Sequence, residues 1–444
     1  MVKNNRLTEA EYQVNFSDIH PAYTNSNAAM VDANRCLFCY DAPCTKVCPT
    51  SIDVPKFIKQ ITTGNIKGSA HTIFNSNILG ASCSKVCPVE KLCEGSCVFN
   101  LLDEAPIPIA LLQRYSTEKA IAANWQLFTR KPSTGKKVAI VGAGPAGLSC
   151  AFNLSKEGVD VTIYEKESKA GGLMTYGIAA YKVTPESCEE EVNYILSIGG
   201  ITIQYNTVLG KDITINELQT QYDAVFLAFG VGLARQLSVP GESLEGVVDA
   251  ISFIYQLRSQ GFSSVPVGDK VAVIGLGMTA IDAATQAKRL GAKEVSIVYR
   301  RTQDEMPCTQ VELDIAKLDG CKIIWLAAPK EVLGVDGKVT QLVCNNMVLG
   351  EPDASGRRSP VATVETFTLD VDMVIKAAGQ MPFDTLVSGS NLNNKSGKIA
   401  IEDKASTNLK GVFAGGDCVN GGKEVVDAVQ AGKDGAKAIL NFLF

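Results

Sequence analysis

The chain has 444 residues, 46% of them hydrophobic and 20% charged, the balance of a globular protein with a sizeable core and room for about three domains. Its 47 acidic against 42 basic residues give a net charge of -5, and with no basic stripe in the sequence no nucleic acid partner is expected. No apolar run approaches the roughly 18 residues of a membrane span, so no membrane is expected either.

The opening stretch MVKNNRLTEAEYQ lacks the apolar core of a signal peptide, which places the expected location in the cytoplasm. Eight of the fourteen cysteines then crowd between Cys36 and Cys97, and in a reducing compartment such crowding points to metal rather than disulfides. Cys36, Cys39, Cys44 and Cys48, with Pro49, form C-x2-C-x4-C-x3-C-P, close to the ferredoxin run C-x2-C-x2-C-x3-C-P. Cys83, Cys87, Cys93 and Cys97 follow. Zinc sites more often show two C-x2-C knuckles, so two iron-sulfur clusters are the better reading. In two-cluster ferredoxins the fourth cysteine of a run ligates the other cluster, so Cys48 can belong with the second set and one late cysteine with the first.

Between the sets, the sequence predicts two short helices broken around Gly64, wrapping the clusters and limiting solvent access. After Cys97, PIPIALLQRYSTEKAIAAN starts with helix-opening prolines and keeps helical spacing through Ile109, Leu112 and Ser116. Gln113 lies on that helix, and taken alone reads as a surface glutamine. Residues 125–136 combine proline, serine, glycine and basic residues and read as a linker.

Lys137 to Ile178 then reads as strand, glycine turn, helix and second strand. Gly142, Gly144 and Gly147 form GxGxxG after the apolar run Val138 to Val141, and Glu165 ends the next strand, where an acid would bond an adenosine ribose. Without ligand the same pattern is a structural βαβ unit. Gly171 and Gly172 open a loop against which a ring system could lie. A second unit follows, with Gly275, Gly277, Thr279 and Ala280 in GLGMTA after another strand. The strand EVSIVYRR puts Arg300 where Glu165 stands and Arg301 where Lys166 stands, and arginine there suits the 2'-phosphate of NADP. From Lys322 to Lys376 short alternating strands with an Asp336-Gly337 turn predict a small antiparallel sheet. Near the end, Gly415, Gly416 and Asp417 follow a strand. Asp417 could bond a ribityl chain, and the helix starting near Val425 could stabilise negative charge on a reduced flavin.

The fold class expected is α/β. It comprises two Rossmann-like dinucleotide-binding domains, for FAD and NAD(P), the second inserted in the first, preceded by an α-helical domain carrying two 4Fe-4S clusters. The expected boundaries are 1–130 for the iron-sulfur domain, 131–239 with 377–444 for the FAD domain, and 240–376 for the NAD(P) domain.

Over essentially its whole length the chain resembles the glutamate synthase small-subunit-like flavoproteins, and RCLFCYDAPCTKVCP, CSKVCPVEKLCEGSC and IALLQRY look most like the FAD/iron-sulfur part of dihydropyrimidine dehydrogenase. The resemblance implies one cluster on Cys36, Cys39, Cys44 and Cys97, another on Cys48, Cys87, Cys93 and Gln113, and Cys83 as a bystander. Related ferredoxin:NADP oxidoreductase subunits tend to carry glutamate at the position of Gln113. The implied activity is an electron-input subunit, with NADPH or NADH oxidised at FAD and electrons sent through two clusters to an FMN-containing partner that reduces uracil or thymine. Glutamate synthase small subunit, ferredoxin:NADP oxidoreductase and a non-catalytic assembly module are the alternatives. Arg300 and Arg301 look more like NADPH enzymes. No C-x2-C or C-x4-C lies near either glycine motif, so dithiol exchange of the thioredoxin-reductase kind is not expected.

Overall fold

The computed structural model describes residues 2–232, 234–352, 358–383, 386 and 390–444. Contacts gather the chain into a larger unit, Ile19–Thr175 with Lys182–Gly232 and Pro382–Phe444, and a smaller one, Met1–Asp18 with Tyr176–Tyr181 and Leu233–Met381.

The first helix, α1 (Glu9–Asn15), is closed by a capping box between Thr8 and Glu11 and belongs to the smaller unit. Six helices of the larger unit follow: α2 (Ser26–Asn34), α3 (Pro43–Val47), α4 (Val54–Thr62), α5 (Ile66–Ser76), α6 (Gly80–Val86) and α7 (Ile109–Ala122). In α4, Val54, Phe57, Ile58 and Ile61 recur at helical spacing and are all buried, Asp53 caps Lys56 N at 3.1 Å, and Gly64 at φ +73° turns the chain into α5. Residues 125–136 are irregular but packed, since the Phe128 ring stacks on His71 at 4.8 Å and meets Phe152 edge-on at 5.3 Å. This stretch lies within the larger unit.

The first sheet begins with β1 (Lys137–Val141), α8 (Pro145–Lys156) and β2 (Asp160–Tyr164). A four-residue helix, α9 (Leu173–Tyr176), lies inside the glycine-led loop, and α10 (Pro185–Leu196), β3 (Ile201–Gln204), α11 (Ile215–Gln221) and β4 (Ala224–Leu227) complete the pass. In the smaller unit come β5 (Val247–Asp249), α12 (Ala250–Gln260), β6 (Lys270–Ile274), α13 (Met278–Arg289), β7 (Glu294–Tyr299), α14 (Gln310–Leu318) and β8 (Lys322–Trp325). The antiparallel strands β9 (Ala327–Val335), β10 (Lys338–Pro352) and β11 (Arg358–Asp370) follow, and β12 (Met373–Lys376) returns to the parallel sheet. The larger unit closes with β13 (Asn394–Lys395), β14 (Lys398–Ile399), β15 (Val412–Ala414), α15 (Asp417–Asn420) and α16 (Val425–Leu443).

Both five-stranded sheets are wholly parallel, with orders β15-β4-β1-β2-β3 and β5-β12-β6-β7-β8. In each, the strand before the glycine turn, β1 or β6, is central, and its neighbours run off in opposite directions. The carboxyl end of that strand is therefore the switch point where such sheets bind ligands. The central strands are buried on both faces, as their β-branched runs require. No helix among the described residues is long and apolar enough to cross a membrane.

Candidate functional site

At the end of β1 the chain makes its first tight turn. Gly142 stands at φ +102°, and a Cβ there would meet Ala228 O at 2.4 Å; a Cβ on Gly147 would sit 1.9 Å from Gly142 O. These two glycines are demanded by the protein's own atoms. Gly144 is different: its φ is -78° and the nearest atom to an added Cβ is 3.8 Å away. The second turn repeats the contrast, with Gly275 at φ +122° crowded by Ala377 O at 2.5 Å, while Gly277 at φ -78° has nothing within 4 Å. In both turns the middle glycine keeps open a space that no side chain of the described residues fills, and each turn runs directly into a helix N-terminus. The residues present therefore fit a dinucleotide pyrophosphate at both places.

Glu165 is buried beside the first turn, its Oε2 accepting from Ala143 N at 2.7 Å and its Oε1 from Glu167 N at 2.9 Å, with burial raising its pKa. Gly172, at φ +56°, comes against Gly144, since its Cβ would lie 2.8 Å from Gly144 Cα. Asp417 opens α15 with Gly416 at φ +78° before it. Its Oδ1 accepts from Lys423 N at 3.1 Å, and burial raises its pKa. At the second turn Ala280 is fully buried inside α13 and Thr279 lies on that helix's first turn. Arg300 is exposed just past β7 and makes no hydrogen bond or ion pair with any described residue, whereas Arg301 turns inward and donates from Nε to Arg358 O at 3.4 Å.

Five of the eight clustered cysteines, Cys36, Cys44, Cys48, Cys93 and Cys97, pack against one apolar core. Burial and the charges of Cys39 and Cys97 push the Cys36 thiol up, and burial with Cys36 and Cys97 pushes Cys44 up to about 11. A hydrogen bond with Cys83, then burial and the charges of Cys93 and Cys48, raises Cys87. Cys93 is raised by burial, by Glu94 and by Cys48. Raised in this way, the thiols of Cys36, Cys44, Cys87 and Cys93 stay protonated unless a cationic metal centre offsets the repulsion, which suits donors to iron. Cys48, Cys83, Cys87, Cys93 and Gln113 line a single cavity. Gln113, which alone reads as a surface residue, is buried because α7 presents it to α6. Its Nε2 donates to Gly80 O at 2.7 Å, leaving Oε1 as the atom able to ligate.

Sequence reading passed over three residues of this region. Asn77 is fully buried in the same cavity wall. Lys433, from α16, donates to Ser76 O at 2.8 Å and Thr50 O at 3.3 Å, near enough to Cys48 to sense its charge. Glu191, from α10, accepts from Ala81 N at 2.8 Å, Ser82 N at 3.0 Å and Ser82 Oγ, capping α6 where the apolar Leu79 side chain makes no capping hydrogen bond. Burial pushes its pKa up to about 7. A signal for Glu191 was present, since helical spacing from Cys188 places it in the buried stripe with Val192 and Ile195.

Residues 136–432 match the family model described as pyridine nucleotide-disulphide oxidoreductase, and residues 12–125 match dihydropyrimidine dehydrogenase domain II, 4Fe-4S cluster. The chain is 36% identical over 433 residues to the NAD-dependent dihydropyrimidine dehydrogenase subunit PreT of Escherichia coli (strain K12), covering 97% of this chain and 98% of that one. It is 33% identical over 454 residues to the glutamate synthase (NADPH) small chain of the same organism, covering 97% and 94%. With the NADP(+)-dependent formate dehydrogenase subunit beta of Moorella thermoacetica it shares 36% identity over 428 residues, 90% of this chain but 60% of that longer one. All fourteen cysteines are free, and the six that follow Cys97 are buried. Two switch-point turns built for dinucleotides and a helical segment rich in thiols thus agree with the matches along the sequence: the chain belongs to the pyridine nucleotide-disulphide oxidoreductase family, as an NAD(P)H-dependent oxidoreductase that binds FAD and carries 4Fe-4S clusters.

Proposed function

We propose that this chain is the electron-input subunit of a dihydropyrimidine dehydrogenase, working with an FMN-containing partner that reduces uracil or thymine. The observation that carries the reading is Gln113, buried against Gly80 with its amide oxygen free to ligate, in one cavity with Cys48, Cys87 and Cys93. That set, with Cys36, Cys39, Cys44 and Cys97 as the other, supplies two clusters. FAD, when bound, takes electrons from NAD(P)H as a pair and releases them singly, as iron-sulfur centres require. The main chain at Gly142, Gly144 and Gly147 binds the FAD pyrophosphate, Glu165 its ribose, Gly172 gives its ring room, and Gly416 and Asp417 hold its ribityl side. Gly275, Gly277, Thr279 and Ala280 seat the nicotinamide cofactor, with Arg300 and Arg301 at its ribose.

A second reading rests on those arginines, which suit an NADPH-linked enzyme of the glutamate synthase small-chain type. One experiment separates the two. The chain is purified without oxygen together with whatever subunit accompanies it, and NAD(P)H oxidation is followed with uracil, or with glutamine plus 2-oxoglutarate, as acceptor. Uracil-dependent turnover is expected, and turnover only with glutamine and 2-oxoglutarate would sink the leading reading.

A further inference from the structure

The cavity that gathers Cys48, Cys87, Cys93 and Gln113 has one wall whose chemistry remains unassigned. Asn77 stands between α5 and α6 with 0% exposure. Its main-chain N–H bonds to Ile73 O at 2.8 Å, and its Oδ1 accepts from Leu79 N at 3.0 Å. The side chain is therefore fixed at both ends of a short joint, and Nδ2 is left with two hydrogens and no acceptor among the described residues. Burying a donor in that state is unfavourable, and such groups in native proteins almost always have a partner. The other polar side chains on the cavity wall are the four proposed iron ligands, the Cys83 thiol and Ser84, whose Oγ already donates to Ala81 O at 2.6 Å. An inorganic core ringed by sulfide and thiolate is an acceptor of the missing kind.

We propose that Asn77 donates N–H···S hydrogen bonds to the cluster held by Cys48, Cys87, Cys93 and Gln113, and that these bonds set its reduction potential. The proposal rests on that ligand set. Reduction adds one electron and no proton to the cluster, taken from the flavin and later released to the acceptor. Because the reduced core is the more negative, a hydrogen bond to it strengthens on reduction and raises the potential. The Lys433 ammonium, held by Ser76 O and Thr50 O beside Cys48, acts with the same sign.

The test uses the whole chain, purified anaerobically and titrated at pH 8 with reductant while each cluster is followed by electron paramagnetic resonance. Asn77→Leu keeps the shape and removes both donors. Asn77→Asp keeps the acceptor for Leu79 N and carries the test if the leucine variant loses iron. In each, the midpoint of one cluster is expected to fall by at least a tenfold change in its redox equilibrium, about 59 mV for a one-electron couple, with the other cluster and the flavin unmoved. Unchanged midpoints at full iron content overturn the proposal, as does an equal shift of both clusters. Gln113→Leu, titrated in parallel, reports separately on the ligand set. Wild-type iron and spectra there remove Gln113 as a ligand, while the Asn77 result is still read on the cluster of Cys48, Cys87 and Cys93.

Discussion

Buried as completely as Glu191 is, a carboxylate loses hydration that three hydrogen bonds and the nearby Lys85 charge only partly replace, and it holds its proton up to about pH 7. Its pKa in the folded chain lies above the unfolded value of 4.5, so the associated stability is fully present below about pH 4.5 and is lost as pH rises through 7. The full difference is roughly 3 kcal/mol. Glu191→Gln is expected to flatten the pH dependence of the melting temperature between pH 5 and 8, with the variant gaining on the wild type at the alkaline end; parallel profiles would show that the group does not titrate. Arg300 leads to a different measurement. As an exposed guanidinium with no partner among the described residues it can bond a 2'-phosphate, and Arg300→Glu should raise the Michaelis constant for NADPH about ten- to a hundredfold, the worth of one charge-assisted hydrogen bond, with that for NADH little changed. Loss of both equally would mean damage to the fold. Gly142 and Gly147 were legible from their spacing, because main-chain atoms at the turn leave no room for a side chain at either. The partners of Glu191 and Lys433 were not, since they lie 110 and 383 residues away and only the finished fold brings them together; helical spacing put Glu191 in a buried stripe without showing what it would meet.

Among elements, the glycine-rich turns separate what the fold needs from what a ligand needs. Gly432 of α16 faces α8 so closely that a Cβ would lie 2.2 Å from Ala146 O and 2.9 Å from Cys150 N, both main-chain atoms that cannot step aside. Gly432→Ala should therefore destabilise the larger unit by about 1–3 kcal/mol and loosen the flavin, because α8 carries the first turn. Gly277→Ala should leave the melting temperature as it is while weakening NAD(P)H binding, since only a bound phosphate would meet that methyl group. A melting point lowered in the second variant and not the first would reverse the assignment. The alternating pattern before and after Asp336-Gly337 disclosed the β9–β10 hairpin, where both turn residues adopt positive φ, +50° and +78°, as the type I' form demands. The turn inside α9 escaped notice because four residues are too few to show a period.

At the scale of the whole molecule, sequence reading grouped the first 130 residues by their cysteines, whereas contacts assign Met1–Asp18 to the smaller unit. Tyr12 and Phe16 are buried there, Phe16 stacked on Phe262 at 4.0 Å, and Arg6 pairs with Asp269 at 2.5 Å while bonding Val267 O. Short polar segments give little hint of such docking, because one helical turn with two aromatics looks the same whichever surface receives it. The two glycine motifs revealed the doubled, interrupted architecture, yet the order of strands depended on pairings such as Ala414 with Leu227, remote in sequence. The interrupted path also orders events at the ribosome. Thr50, two residues beyond Cys48, waits for Lys433, 383 residues later, and Val426 of the same helix completes the cavity wall. At about 5–20 residues per second that interval is roughly 20–80 s. Throughout it the residues around Cys48 stand without Lys433 and Val426, so the wall of that cavity is finished only once α16 has been translated.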